Sequence, residues 1–274
     1  MILINLPGTK NCFLVNDVSN SQTIEHELKK AFFPYAQQIH SKSVPLQYGF
    51  WLETNGHFIT VKNDDGILKV LSESICAPYE VYKSIINIIR DNIQLIDDYC
   101  YLHGAAVVIN GHPCLFLSET GAGKSTLGVY SDSRGQPCIT DDLIILHKRT
   151  KKIFPVSQYA HLREEGAYLL QNPHTAIKYN RFLDRYEYKL STQRFQKEYR
   201  VEHIFILHRK EGQAQVSVSV SAFDRVLENM FLPYQVKNNA MSAYQICNDF
   251  TIYELYYQEL FEVLGKMIEF VCSC

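Results

Sequence analysis

The stretch Leu115-Phe-Leu-Ser-Glu-Thr-Gly-Ala-Gly-Lys-Ser-Thr126 decides how this chain folds. It begins as an apolar strand, passes through a glycine-rich loop and continues in residues that suit a helix, which is the setting of a P-loop, or Walker A motif. Gly121 and Gly123 let the backbone curl until successive N–H groups point at one phosphate. The positive end of the following helix dipole adds to the same anion site. The stretch therefore predicts an α/β nucleotide-binding core.

The polar residues of this motif predict its ligands. Lys124 would place a positive charge on the β- and γ-phosphates, and the Ser125 hydroxyl would complete the shell of a magnesium ion. The motif departs from the usual G-x-x-x-x-G-K-[ST] pattern at its first position, where this chain has Ser118. We expect ATP and Mg²⁺ as cofactors. The expected nucleotide-binding residues are Thr120, Gly121, Ala122, Gly123, Lys124, Ser125 and Thr126.

Two aspartates and a histidine stand on either side of the P-loop in the sequence. Asp141-Asp142 ends a strand predicted at Gln136–Thr140, seventeen residues beyond Lys124, where a Walker B carboxylate would reach the metal. One carboxylate can hold Mg²⁺ while the other accepts the proton of an attacking hydroxyl. His103 lies twenty-one residues before Lys124, on a strand that we expect beside the P-loop strand.

Three segments taken together resemble the HPr kinase/phosphorylase superfamily: Leu102-His-Gly-Ala-Ala106, the P-loop and Thr140-Asp-Asp142. The resemblance covers roughly residues 99–235 and extends to the shorter HPr-kinase-like tailoring kinases of ribosomally made peptides, including lasso peptides. It implies an α/β (α+β) fold with a P-loop kinase core of the HPr-kinase/PEP-carboxykinase-like type. It also implies transfer of the γ-phosphoryl group of ATP to a serine hydroxyl, a reaction that some members reverse.

The resemblance implies a role for each matching residue. Asp142 matches the catalytic base, Asp141 the metal-side aspartate, and His103 a histidine of the active site. Lys124 and Ser125 match the phosphate and magnesium residues. The expected catalytic group is therefore Asp142, His103 and Lys124, and the expected metal ligands are Ser125 and Asp141.

A later segment, His161-Leu-Arg-Glu-Glu165, is nearest to a further acidic metal position of the family. His161 stands at the acidic position, which leaves the second metal contact without a matching residue. Arg163, also among the expected catalytic residues, has two interpretations: it neutralises the transferring phosphate, or it pairs with one of the two glutamates that follow it. His208-Arg209 is interpreted as a turn at the end of a strand.

The composition argues against several classes of protein. Of the 274 residues, 46% are hydrophobic and 20% are charged, and the net charge of −2 gives no sign of a nucleic-acid or membrane partner. The start, Met1-Ile-Leu-Ile4, lacks the basic region and the apolar core of a signal peptide, and no apolar run approaches the ~18–20 residues that span a bilayer. We expect a cytoplasmic protein whose eight cysteines are reduced and show no zinc-like pairing of doublets.

The order of elements predicts a small β-rich region with a helix at 1–98 and a P-loop kinase domain at 99–274. In the first region we predict strands at Gly49–Glu53, His57–Val61 and Ile67–Ser72, turns at Asn55-Gly56 and Asp64-Asp65-Gly66, and a helix at Tyr79–Asp97. In the second we predict a hairpin of Val201–His208 with Gln215–Val220, and helices at Ala222–Phe231 and Ser242–Phe270.

Three functions are compatible with these features. The leading hypothesis is a kinase that phosphorylates a serine of a ribosomally made precursor peptide or of a small protein. A regulatory module that binds ATP without phosphotransfer is the second, and a kinase for a free small molecule such as an amino acid is the third. A pure binder needs only the metal-side carboxylate, so Asp142 beside Asp141 favours an enzyme. A homo-oligomer is compatible with all three.

Overall fold

The computed structural model describes residues 1–10, 12–17, 22–38, 49–54, 59–63, 66–71, 78–93, 95–170, 176–230 and 236–273. The chain is a mixed α/β protein with a central mixed sheet and, within this described part, seven α-helices. It divides into two compact units, Met1–Asp97 and Asp98–Cys274. None of the helices in the described part is both long and apolar enough to cross a membrane.

The first unit is built on a six-stranded sheet. Its order is β3-β1-β2-β4-β5-β6, in which β2 and β4 run parallel and the other neighbours run antiparallel. The elements are β1 (Ile2–Ile4), β2 (Cys12–Asp17), α1 (Gln22–Ala31), β3 (Ala36–Gln38), β4 (Gly49–Thr54), β5 (Ile59–Asn63), β6 (Gly66–Leu71) and α2 (Pro78–Asn92). The three predicted strands correspond to β4, β5 and β6, and the predicted helix to α2, which ends at Asn92 and not at Asp97. The predicted turns at 55–56 and 64–65, and the predicted strand residues 57, 58 and 72, lie outside the described residues.

The helix α2 forms because its apolar residues recur at helical spacing. Val81, Ile85, Ile88 and Ile89 are all at least 94% buried, and they lie on one side of the helix. Glu80 in the first turn and Arg90 in the last turn both suit the helix dipole. The same periodicity predicts this helix from the sequence alone.

The second unit contains a nine-stranded mixed sheet that positions the candidate site. Its order is β15-β11-β10-β7-β8-β16-β18-β17, and β9 pairs with β7 off this path. Three neighbouring strands, β8, β16 and β18, run parallel, and the other pairs are antiparallel. The strands are β7 (Tyr99–Ile109), β8 (His112–Leu117), β9 (Cys138–Thr140), β10 (Leu143–His147), β11 (Lys152–Phe154), β15 (Tyr199–Arg200), β16 (His203–Arg209), β17 (Gln215–Val218) and β18 (Ile252–Tyr257).

Helices cover both faces of this sheet. Since successive strand residues point to opposite sides, neighbouring residues of one strand pack against different helices. Phe116 and Phe205 pack with Leu127 of α3 (Lys124–Ser133) and with α7 (Leu260–Ser273). The preceding strand residue, Leu115, belongs to the opposite face, where α5 (Ala222–Glu228) and α6 (Val236–Asp249) pack. The buried strand that precedes the P-loop is therefore held from both sides.

A smaller sheet lies beside α3. Its order is β12-β14-β13, and both pairs are antiparallel. Leu162 and Ala160 of this sheet pack with Val129 of α3 and with Ala167 of the short helix that follows β12. The remaining elements are β12 (Tyr159–Leu162), α4 (Glu164–Leu170), β13 (Ile177–Asn180), β14 (Arg185–Lys189) and a 3₁₀-helix at Thr192–Gln196.

The predicted helix Ser242–Phe270 is wrong, because it is interrupted by β18. The helix α6 ends at Asp249, and α7 begins only at Leu260. The intervening segment Ile-Tyr-Glu-Leu-Tyr-Tyr is rich in aromatic and branched residues that suit a strand, and its apolar positions also fall near helical spacing.

The predicted hairpin of Val201–His208 with Gln215–Val220 is also wrong. The strands β16 and β17 both exist, but β18 lies between them and pairs with each. The inserted strand comes more than thirty residues later in the chain, so local spacing could not reveal it. The predicted helix from Ala222 is α5, and Phe231 lies outside the described residues.

Candidate active site

The glycine-rich loop joins β8 to α3 and adopts the backbone that its glycines predict. Gly121 has φ 94° and Gly123 has φ 90°, both in the region that only glycine adopts readily. The Tyr257 hydroxyl at the end of β18 donates a hydrogen bond to the Ala122 carbonyl. A Cβ atom added to Gly123 would lie 3.2 Å from the same hydroxyl. This hydrogen bond links the loop to β18, which is separated from β8 by β16 in the sheet. The sequence did not indicate this contact.

Lys124 lies within the loop instead of extending into solvent. Its side chain is 7% exposed, and its Nζ donates to the Ser118 carbonyl (2.8 Å), the Ser118 hydroxyl (3.0 Å) and the Glu119 carbonyl (3.2 Å). Burial lowers the pKa of Lys124, and the two nearby aspartates oppose that change. The serine that replaces the first glycine of the motif thus contributes its side chain to the position of the lysine.

Antiparallel pairing brings the two aspartates to the end of the P-loop strand. Leu143, which follows Asp142, is paired with His103, and the next residue of β7, Gly104, is paired with Leu117 of β8. A Cβ atom on Gly104 would lie 2.6 Å from the Phe116 carbonyl oxygen and 2.7 Å from an Ile144 methyl group. Glycine at this position allows the three strands to approach as closely as they do.

Asp141 is a buried carboxylate with an unused oxygen. Its side chain is 4% exposed, and its Oδ2 accepts a hydrogen bond from the His161 backbone N–H at 3.3 Å. The other oxygen, Oδ1, has no hydrogen-bond partner among the described residues. Burial and the charge of Asp142 raise the pKa of Asp141 to about 7, although the Ser125 hydroxyl and His161 act to lower it.

These donors fit a magnesium ion. A buried acceptor without a partner costs free energy, and a bound cation would remove that cost. Ser125 and Asp141 offer hard oxygen atoms, which is the ligand type that Mg²⁺ prefers. The Ser125 hydroxyl interacts with the Asp141 carboxyl, so the two predicted metal ligands lie close together.

Asp142 has a different environment from that of its neighbour. Its side chain is 55% exposed and its backbone has φ 64°, a left-handed conformation that aspartate tolerates better than most residues. Desolvation acts to raise the pKa of Asp142, but His161, His103 and Lys124 together lower it. His103 contacts the backbone of Asp142 and not its carboxylate: the His103 Nδ1 lies 3.2 Å from the Asp142 carbonyl oxygen.

A chain of charged groups supports the Asp142 carboxylate. His161 Nδ1 lies 3.9 Å from Asp142 Oδ2, and His161 Nε2 lies 3.5 Å from Glu187 Oε1. Glu187 is 8% exposed, and its Oε1 also accepts a hydrogen bond from Asn180 at 2.8 Å. Burial acts to lower the pKa of His161, but Asp142, Glu187 and Asp141 raise it to about 9. We call Asp142, His161 and Glu187 the acidic relay.

Arg163 faces the P-loop. Its Nη1 lies 4.0 Å from the position that a Cβ atom on Gly121 would occupy. Within the described residues it forms no ion pair with Glu164 or Glu165. The guanidinium therefore lies beside the loop without an ion pair to either glutamate, and its action on a phosphate stays a prediction.

A cleft of about 280 Å³ opens beside the P-loop, at the carboxyl ends of β8 and β16. The prediction that His208-Arg209 forms a turn is wrong, because both residues belong to β16 and line this cleft. Arg225 of α5 also lines it, and its Nη1 lies 2.7 Å from Glu119 Oε1. The cleft is lined by Ser118, Glu119, Thr120, Gly121, Ala122, Ile206, Leu207, His208, Arg209 and Arg225.

Sequence reasoning missed the residues that lie far from the motifs along the chain. Glu187, Tyr257 and Arg225 carried no local signal, since each is placed by a strand or helix that packs beside the site. In the sequence, His161 is marked only by its departure from the acidic position of the family that the chain resembles. Its place between Asp142 and Glu187 depends on the pairing of β12 with β14, which sets His161 opposite Glu187.

Comparisons with known proteins give little support to a family assignment. No protein-family model matches the chain, and no curated protein matches it. Among solved structures, the chain is similar to the Hpr(Ser) kinase/phosphatase from Coxiella burnetii at 11% sequence identity and a TM-score of 0.32, covering 64% of this chain and 99% of that chain. A similarity of this size establishes neither a shared fold nor a shared function. Any inference of function must therefore start from the residues of the site itself.

Proposed function

We propose that this protein is an ATP- and Mg²⁺-dependent kinase that transfers the γ-phosphoryl group to a serine hydroxyl of a ribosomally made precursor peptide or of a small protein. One observation carries the proposal: two adjacent aspartates, one buried and one exposed, lie at the end of a P-loop strand. Phosphoryl transfer requires positioned phosphates, charge neutralisation and an oriented acceptor hydroxyl. The two carboxylates are suited to different parts of that task.

The P-loop side of the site would hold the nucleotide. Backbone N–H groups around Gly121 and Gly123 surround the phosphates, and Lys124 exchanges its bonds to the loop carbonyls for bonds to phosphate oxygens. Ser125 and Asp141 would hold Mg²⁺, which neutralises phosphate charge when bound. Arg163 places a further positive charge over the loop.

The acidic relay would prepare the acceptor. The exposed Asp142 carboxylate has a lowered pKa and is ionised at neutral pH, so it can accept a hydrogen bond and then the proton from a serine hydroxyl. His161 holds that carboxylate from one side, and buried Glu187 holds the imidazole from the other. A base oriented by a second group that is itself oriented by a third is the general arrangement of activated nucleophiles.

A kinase for a free small molecule is the second candidate. The observation that favours it is the cleft beside the P-loop, whose size suits a small ligand and which contains Arg209 and Arg225. Arg209 would attract an anionic group such as a carboxylate, whereas Arg225 is already paired with Glu119 and Glu228. The regulatory-module hypothesis has no comparable observation in its favour, because a binder would not need an exposed carboxylate beside the metal-side one.

The proposal is tested by supplying acceptors directly. We expect the purified protein, incubated with labelled ATP and Mg²⁺, to phosphorylate a serine of a peptide encoded beside its gene. Replacement of that serine by alanine in the peptide should abolish labelling, which separates the peptide from contaminants. Labelling of free amino acids but of no peptide would support the second candidate, and labelling of neither would support the regulatory module.

A further inference from the structure

Two histidines and a glutamate meet at the end of the sheet that faces away from the P-loop. His112 begins β8, His203 begins β16, and Glu202 immediately precedes β16. These strands are parallel neighbours, and their carboxyl ends form the P-loop and the cleft. The seven residues of β16 at ~3.3 Å per residue place the cluster roughly 20 Å from the nucleotide site.

The possible ligand atoms of these three residues already lie close together. One ring nitrogen of each histidine and one carboxylate oxygen of Glu202 all lie within 4.8 Å of one another. His112 Nδ1 is 2.7 Å from Glu202 Oε2, and the two imidazole rings are 6.1 Å apart between centroids. Donors around a tetrahedral zinc ion are about 3.4 Å apart, given bonds of about 2.0–2.2 Å. Side-chain rotation alone can bring the three ligand atoms from their present separations of up to 4.8 Å to this spacing.

The backbone beneath the cluster is held rigidly. The Glu202 N–H donates to the Pro113 carbonyl at 3.0 Å, and His203 is paired in register with Cys114. The His203 ring also packs near Phe205, at 6.2 Å between centroids. Ligands on fixed strands lose less conformational freedom on binding than ligands on loops.

We propose that His112, Glu202 and His203 form a binding site for a first-row transition metal ion such as Zn²⁺, separate from the magnesium site. Two imidazoles and a carboxylate are a ligand set that zinc accepts, with water in the fourth position. Mg²⁺ prefers an all-oxygen shell and would not compete for the two nitrogens.

The environment of the cluster agrees with this assignment. The side chains of His112 and Glu202 are 41% and 47% exposed, which leaves a path for the ion and room for its water. An ion here would join the beginnings of β8 and β16 without touching the nucleotide.

Calorimetric titration with ZnCl₂ tests the site. All variants are made in a Cys272→Ser, Cys274→Ser background under reducing conditions, because Cys272 is exposed and could bind zinc itself. We expect one equivalent of Zn²⁺ to bind, excess Mg²⁺ to leave binding unchanged, and His203→Ala and His112→Ala each to weaken it at least tenfold. His147→Ala, which removes a histidine from β10, should bind as the background protein does.

Thermal unfolding provides the second measurement. Zn²⁺ should raise the Tm of the background protein and of His147→Ala, with an increase that grows with the logarithm of zinc concentration, because a ligand of the folded state stabilises it by mass action. The Tm of His203→Ala with Zn²⁺ should equal the Tm of the same variant without metal. Absence of zinc binding, or equal binding and equal Tm shifts in the His203→Ala protein, would overturn the proposal.

Discussion

Asp141 and Asp142 are neighbours in the chain that differ in almost every physical respect. The first is 4% exposed and has an oxygen without a hydrogen-bond partner among the described residues, whereas the second is 55% exposed and lies beside His161. Burial and mutual repulsion therefore affect the first carboxylate most, and the positive charges around the second keep it ionised. Adjacent carboxylates with pKa values pushed apart are typical of sites that divide acid–base work.

The raised pKa of Asp141 predicts how stability depends on pH. Between pH 3.8 and about 7 the folded protein holds a proton on Asp141 that the unfolded chain has lost, so this residue's contribution to stability falls as the pH rises through that window. In metal-free protein, Asp141→Asn should therefore be stabilising at pH 8 and close to neutral at pH 4. Thermal unfolding at both pH values in EDTA checks this.

Magnesium provides the control for that prediction. Addition of Mg²⁺ should raise the Tm of the wild type at pH 8 and leave that of Asp141→Asn unchanged, because the variant lacks the metal-side carboxylate. An Asp141→Asn protein that is less stable than the wild type at pH 8 without metal would show that the carboxylate is already paired and would contradict the account of its buried oxygen.

The acidic relay predicts a positioning role for Glu187. Glu187→Gln keeps the shape but removes the buried charge that faces His161 Nε2, so the imidazole should hold Asp142 less firmly. We expect the single-turnover rate of phosphoryl transfer to fall by on the order of tenfold, as supporting groups around a site commonly contribute, with Mg-ATP affinity unchanged. Single-turnover kinetics and calorimetry on the same variant measure the two quantities.

The matched control is Glu198→Gln, which removes an exposed glutamate whose partners are Lys152 and Arg200. It should leave both quantities unchanged. Should Glu187→Gln lower Mg-ATP affinity and the rate together, its role would be structural, and the relay would not act on the acceptor.

At the scale of elements, β18 is the strand that the sequence did not predict, and its position explains why the predicted hairpin and the predicted last helix are both wrong. It separates β16 from β17 and carries the hydroxyl that fastens the P-loop. Its buried residues, Ile252, Leu255 and Tyr257, do not alternate strictly along the strand, and the segment follows one helix and precedes another. A single window of apolar residues could not distinguish the two periods, and the partner strands lie far away in sequence.

Tyr257→Phe tests the link between β18 and the loop. The variant removes one hydroxyl that donates to the Ala122 carbonyl and keeps the ring, so stability should fall by about 1 kcal/mol, the usual net contribution of one hydrogen bond. Mg-ATP affinity should fall several-fold, because the loop is less restrained. The control is Tyr199→Phe on the edge strand β15, which should leave affinity unchanged. Equal affinities for both variants would contradict the proposed link.

Gly104 tests the close approach of β7, β8 and β10. Gly104→Ala would force a methyl group to within 2.6 Å of the Phe116 carbonyl oxygen, so we expect a loss of roughly 1–3 kcal/mol in the free energy of unfolding, measured by urea denaturation. Gly265→Ala is the control, since nothing lies within 4 Å of the added atom and alanine favours a helix. If Gly104→Ala had the same free energy of unfolding as the wild type, the close approach of the three strands would not require glycine at this position.

At the scale of the whole molecule, the sequence predicted the motifs and their local elements but not the arrangement that unites them. The sequence predicts the strand–loop–helix around Lys124, the strand containing His103 and the strand that ends at Asp141-Asp142, and the structure brings them together. Their neighbourhood follows from the pairing of β7 with both β8 and β10. The partners of His161 and of the P-loop come from pairings across the smaller sheet and from β18, and local patterns carry no information about such distant contacts.

The central claim is that this chain catalyses phosphoryl transfer, with Lys124 holding the nucleotide and Asp142 preparing the acceptor. The most direct test measures Mg-ATP affinity and single-turnover transfer on the same three proteins: wild type, Lys124→Ala and Asp142→Asn. We predict that Lys124→Ala loses Mg-ATP binding, and that Asp142→Asn binds Mg-ATP nearly as well as the wild type. Transfer by Asp142→Asn should fall by on the order of 10²–10⁴-fold, or about 3–5.5 kcal/mol at ~1.36 kcal/mol per tenfold. Near-wild-type transfer by Asp142→Asn, or unchanged Mg-ATP affinity in Lys124→Ala, would contradict the account.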